Sequence, residues 1–88
     1  FPDDPIANLN AGAMEIQKGG DLTTAKKHLA KADQKAAETL NNLGVIALLE
    51  GDYDAAEKYF NAAKAGGLTT QADTNMKQLK SIRNYPKE

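Results

Sequence analysis

His28 is the sole imidazole in the chain and there is no cysteine. Zinc coordination and nucleophilic triads both need sets of such residues, so neither has the parts it requires. His28 follows Lys27 on the polar side of a helix and reads as a surface histidine. Asp52-x-Asp54 has the opening of a calcium loop, but Glu57 stands where that loop needs glycine and Ala63 where it needs glutamate. Helix capping accounts for Asp52 more simply. Lys26, Lys27, Lys31 and Lys35 form a partial basic edge, interrupted by Asp21, Asp33 and Glu38 and without interleaved aromatics. That is the pattern of a solvated face, and an RNA platform would need stacking rings. Gly19-Gly20 and Gly66-Gly67 lack the surrounding phosphate-loop motif. No carboxylate pair is marked out for acid–base work. The residues therefore point away from an enzyme, a metal site, a cofactor and nucleic acid.

What must position the remaining side chains is helix. Alanine supplies 15 of the 36 apolar residues, and Val and Ile together supply five. Alanine is the strongest helix former and offers little to a sheet face. Eighty-eight residues allow one domain, 1–88, with 21 large apolar side chains for its core. Basic and acidic residues number 11 and 12, so no strong field draws the chain to an anionic surface. The longest apolar run, Leu43 to Leu49, is too short to cross a bilayer, so direct membrane insertion is not expected. The opening Phe1-Pro2 lacks an initiator methionine, which suggests a processed product or a piece of a longer protein.

Shifting the chain by 31 residues superposes it on itself without a gap. Leu9-Asn10 falls on Leu40-Asn41, Gly20-Asp21 on Gly51-Asp52, Ala25 on Ala56, and Leu29 on Phe60. Leu22, Ala25, Leu29 and Ala32 draw one helical stripe, and Tyr53, Ala56, Phe60 and Ala63 draw its copy. Each unit reads as helix, tight turn, helix. The first helix is expected from about Asp4 to Lys18, ended by Gly19-Gly20. Asp21 then caps a helix reaching Ala32. The second unit repeats this with Ala36 to Glu50, Gly51, and Asp52 capping a helix to Ala65. Repeat 1 thus covers about 4–34 and repeat 2 about 36–67. Thr70-Gln71-Ala72-Asp73 has the capping-box form and opens a fifth helix over about 70–84. Its inner face would carry Ala72, Met76, Leu79 and Ile82, and its polar back would seal the stack. Tyr85 and Pro86 mark the end of the module. The fold class is all-α: two antiparallel helical hairpins plus a C-terminal capping helix.

The second unit carries a family likeness. Leu40-x2-Leu43-Gly44-x2-Ala47, then Ala56-x3-Phe60, then Ala63, resembles a tetratricopeptide repeat with softer side chains at its aromatic positions. Asn42-Leu43-Gly44 and Gly51-Asp52-Tyr53 add to the resemblance. The first unit, Leu9-x2-Gly12-Ala13-x2-Ile16, then Ala25-x3-Leu29, then Ala32, is similar but lacks every aromatic. The period is shorter than the family's usual length of about 34, and Leu68 stands where that family often has proline. Pro5-Ile6-Ala7-Asn8-Leu9-Asn10 with Gly20-Asp21-Leu22 also resembles helical-repeat modules of Bacteroidetes envelope proteins, which would imply a periplasmic or cell-envelope setting.

The tetratricopeptide resemblance implies an α–α superhelix whose first helices line a groove. Carried over by the 31-residue register, the groove would present Asn10, Met14 and Gln17 from the first unit and Asn41, Val45, Leu48 and Leu49 from the second. The fifth helix would add Asp73 and Lys77. Val45, Leu48 and Leu49 either form an open apolar patch for a partner segment or pack against the first or fifth helix. The clamp that captures a chaperone's C-terminal carboxylate is not implied. Asn42 is present, but Asn10, Met14, Thr70 and Thr74 stand where its other side chains are wanted. The expected function is a non-catalytic module that binds a segment of another protein, or of its own parent chain, in the groove. The alternative is a structural spacer or capping domain of a larger bacterial cell-envelope protein.

Overall fold

Three of the helices begin where an aspartate can reach back to a free backbone amide. Asp4 Oδ1 accepts from the Ile6 N–H at 2.9 Å, Asp21 Oδ1 from Thr23 at 2.9 Å, and Asp52 Oδ1 from Ala55 at 3.2 Å. The computed structural model describes residues 4–84 and has five helices, with no strand among the described residues. They are α1 (Pro5–Gln17), α2 (Leu22–Ala30), α3 (Ala37–Glu50), α4 (Tyr53–Ala65) and α5 (Thr69–Arg83). The fold is all-α, as the alanine-rich composition requires. The module end inferred at Tyr85 and Pro86 lies outside the described residues.

Glycine ends three helices in one way. Gly19, Gly51 and Gly67 have positive φ (69°, 83° and 104°). At each, the glycine N–H and the next N–H turn back onto carbonyls of the last turn, as Gly51 to Leu48 and Asp52 to Ala47. This paired arrangement satisfies carbonyls that helix termination leaves bare. The short turns fold α1 onto α2, α3 onto α4, and α4 onto α5, while α3 also touches α1, α2 and α5.

Two expected boundaries differ. The helix drawn to Ala32 stops at Ala30, where Gln34 Nε2 donates to the carbonyls of Leu29 (2.7 Å) and Ala32 (2.8 Å) and draws the chain out of the helix. The capping box at Thr70 does not form. Leu68 both closes the end of α4, through its N–H to Ala63 O, and stands as the N-cap of α5 without a side-chain bond. Thr70 is therefore already helical, and its carbonyl accepts from Thr74 Oγ1 at 3.0 Å.

The core has two parts. One gathers Ala25 and Leu29 of α2 with Ile46 of α3, edged by Leu9, Ile16, Leu22 and Leu43. The other gathers Ala47, Ala56, Phe60 and Leu79, edged by Val45, Leu48, Tyr53, Tyr59 and Met76. Ile82, expected on the inner face of α5, is 44% exposed. It lies on the last turn, beyond the reach of the cluster around Leu79.

The two hairpins are equivalent, but not at one constant spacing. A β-carbon added at Gly12 would stand 2.8 Å from Leu29 Cδ2, and one added at Gly44 would stand 2.5 Å from Phe60 Cε1. Gly12 therefore corresponds to Gly44, and Gly19 to Gly51, one residue out of step with the 31-residue match. The second helices do keep that match, since Leu29 answers to Phe60 and Asp21 to Asp52. The first turn holds the extra residue, Gly20, and this shifts every equivalence along α1.

Candidate binding cleft

The shift moves the first unit's groove positions. Asn41 corresponds to Leu9, Val45 to Ala13, Leu48 to Ile16 and Leu49 to Gln17. Met14, expected in the groove, corresponds instead to Ile46, which faces the preceding hairpin. Ile46 is 1% exposed against Ala25 and Leu29, whereas Met14 is 66% exposed.

A cleft of about 250 Å³ lies over α3, between α1 and α5. Leu9, Asn10, Ala13 and Gln17 form one wall, Glu38, Asn41 and Asn42 a second, and Gln71 a third. Besides Asn41, the lining has four carboxamides, those of Asn10, Gln17, Asn42 and Gln71, with a single carboxylate and no lysine or arginine. A carboxamide both donates and accepts in one plane, as a peptide group does. The chemistry of this surface suits uncharged backbone better than an ion.

Asn41 is one of the residues that the 31-residue register places in the groove. It is 6% exposed, and its Oδ1 accepts from Asn75 Nδ2 of α5 at 2.9 Å. Its amide serves the fold, holding α5 against α3. Val45 and Leu48 are half-buried against the cluster of Phe60 and Leu79. Leu49 is 59% exposed at the edge.

The fifth helix meets the cleft with a different face from the one expected. Asp73 points to α4, where its Oδ1 pairs with Lys64 Nζ at 2.9 Å. Lys77 is exposed and does not line the cleft. Gln71 takes their place, one turn before Asn75, whose side chain bonds Asn41. Leu9, Ala13, Glu38, Asn42 and Gln71 are thus the lining residues the groove assignment missed. The signal that could have found two of them, Leu9 and Ala13, was the glycine pair: aligning Gly19, whose φ is positive, rather than Gly20, with Gly51 corrects α1 at once.

His28 is also more than a surface residue. It is half-buried, and its Nδ1 lies 3.3 Å from Oδ1 of Asn8, itself 6% exposed. Asn8 Nδ2 donates to the Asp4 carbonyl at 3.0 Å, which turns Oδ1 toward the ring. An amide oxygen only accepts, so Nδ1 carries the proton and the pair ties α2 to α1.

Among the described residues no group of His, Asp and Glu could hold a metal ion. None of the helices described is long and apolar enough to cross a membrane. No family model, no curated protein and no solved structure matches the chain.

Proposed function

We propose that the domain is a non-catalytic protein–protein interaction module, tetratricopeptide-like in architecture, that takes an extended segment in the cleft between α1, α3 and α5. The segment belongs to another protein or to another part of the parent chain. The observation that carries this reading is the convergence of four carboxamides from three helices on one cleft without a lysine or arginine among them. In the mechanism, Asn10, Gln17, Asn42 and Gln71 exchange hydrogen bonds with the segment's backbone, and Leu9 and Ala13 cover an apolar side chain. Glu38 favours a positive charge at that end of the segment.

The test is calorimetry with a peptide selected on the folded domain from a random-sequence library. Neutral hydrogen bonds contribute about 0.5–1.5 kcal/mol each. Replacing Asn10 and Asn42 together with alanine should therefore weaken binding by roughly tenfold and leave the circular dichroism unchanged. Unaltered affinity in the folded double variant would remove the cleft from the account.

A second reading, a spacer or capping domain of a larger bacterial cell-envelope protein without a ligand of its own, is favoured by a different observation. Val45 and Leu48 are held against the core instead of standing open. Failure of the library to yield any saturable ligand would favour the spacer.

A further inference from the structure

Met14 marks a second surface, separate from the cleft. Its equivalent Ile46 is buried on Ala25 and Leu29, that is, on the second helix of the hairpin before it. The neighbouring equivalences run the same way. Thr39 and Leu43 of α3 correspond to Ala7 and Ala11 of α1, so small residues flank Met14 and would let a helix approach closely. The charges correspond too. Glu50 Oε2 bridges to Lys26 Nζ at 2.6 Å across the α2–α3 boundary. Lys18, the C-cap of α1 with its Nζ 3.2 Å from Glu15 Oε2, occupies the place of Glu50, immediately before the positive-φ glycine.

We propose that the outer face of α1 is a stacking surface for a further helical hairpin, one from outside residues 4–84. Its second helix would present an alanine–leucine pair like Ala25 and Leu29, and an acidic residue where α2 has Lys26. A second copy of this chain does not fit. Its α2 is already covered by α3, and the apolar face of its α4 by α5, whose back carries Lys77, Gln78 and Lys80. Stacked hairpins gain stability from each neighbour interface, so a correctly seated hairpin should melt with the rest.

The experiment inserts a duplicate of residues 5–36 directly before Pro5 in the full chain, in two forms. One keeps lysine at the duplicate's position 26, and the other carries Lys26→Glu there. The glutamate form should melt in a single transition about 5–10 °C above the original chain, and the lysine form lower, because it sets Lys26 against Lys18. Reactivity of a Met14→Cys thiol gives the second readout. The cysteine should label freely in the original chain and be protected severalfold in the glutamate form. Separate melting of the added hairpin, or equal thiol labelling in both chains, would overturn the proposal. So would a dimer of the original chain that Met14→Glu makes monomeric, since the face would then serve self-association.

Discussion

A β-carbon at Gly44 would stand 2.5 Å from Cε1 of Phe60, so the ring lies directly on the backbone of α3. Phe60 is fully buried, as are Ala56 and Ala63 on the same stripe of α4. Close approach of α3 and α4 depends on a residue without a side chain meeting the largest buried one.

Phe60→Ala should lower stability by about 3–5 kcal/mol, the usual cost of emptying a buried aromatic site. Gly44→Ala should also destabilise, by about 1–3 kcal/mol, because a rigid ring must shift and that outweighs alanine's better helix propensity. Gly12→Ala should cost less, since its nearest atoms, Cδ2 and Cγ of Leu29 at 2.8 Å, belong to a side chain that shifts more easily than a ring and stand farther off than Phe60 does at Gly44. Urea unfolding of the three variants checks both the size and the order. Equal stability of Gly44→Ala and the unchanged chain would contradict the contact.

Thr39 presents the opposite defect. It is fully buried, and its hydroxyl has no hydrogen-bond partner among the described residues. Thr39→Val keeps the shape and removes a polar group left without compensation. It should raise stability by about 1 kcal/mol, read as a higher urea midpoint at constant slope. A lower midpoint would show that the hydroxyl is bonded.

Leu48 and Leu49 are neighbours with different fates. Leu48→Glu should lower stability by about 2 kcal/mol or more, since a carboxylate would face the cluster around Leu79. Leu49→Glu, at a site 59% exposed, should stay within about 0.5 kcal/mol. Thermal melts distinguish them, and matched midpoints would return Leu48 to the groove.

Arg83 holds the last turn of α5 to α4, with Nη2 at 2.7 Å from Asp54 Oδ1 and Nη1 at 2.8 Å from Glu57 Oε1. Asp54 is almost fully exposed, so most of the benefit rests on Glu57. Arg83→Ala should lose about 1 kcal/mol at low salt. The loss should shrink in about 1 M sodium chloride, where such pairs are screened. A loss indifferent to salt would assign the effect to packing of the side-chain stem.

The elements were legible in the sequence to a degree that the site was not. Aspartate caps and glycine stops are local signals, and Asp21, Asp52 and Gly51 act where their types suggested. The groove depended on a register carried from one hairpin to the other, and Gly19-Gly20 offered two alignments that the self-match could not separate. Choosing Gly20 sent Met14 into the groove and left Leu9 and Ala13 out. Thr70 misled for another reason. Its capping-box pattern was real as sequence, but the turn after Gly67 closes so tightly that Leu68 already begins α5. Asn41 looked available because its pairing with Asn75 spans two distant segments, and no local pattern announces such a bond.

The most direct test of the account is amide chemical-shift mapping of the isotope-labelled domain with a library-selected peptide. Saturable changes should gather on Leu9, Ala13, Glu38, Asn42 and Gln71 and on the side-chain amides of Asn10 and Gln17. Changes centred on α2 and the outer side of α4, with those residues still, would contradict a binding cleft between α1, α3 and α5.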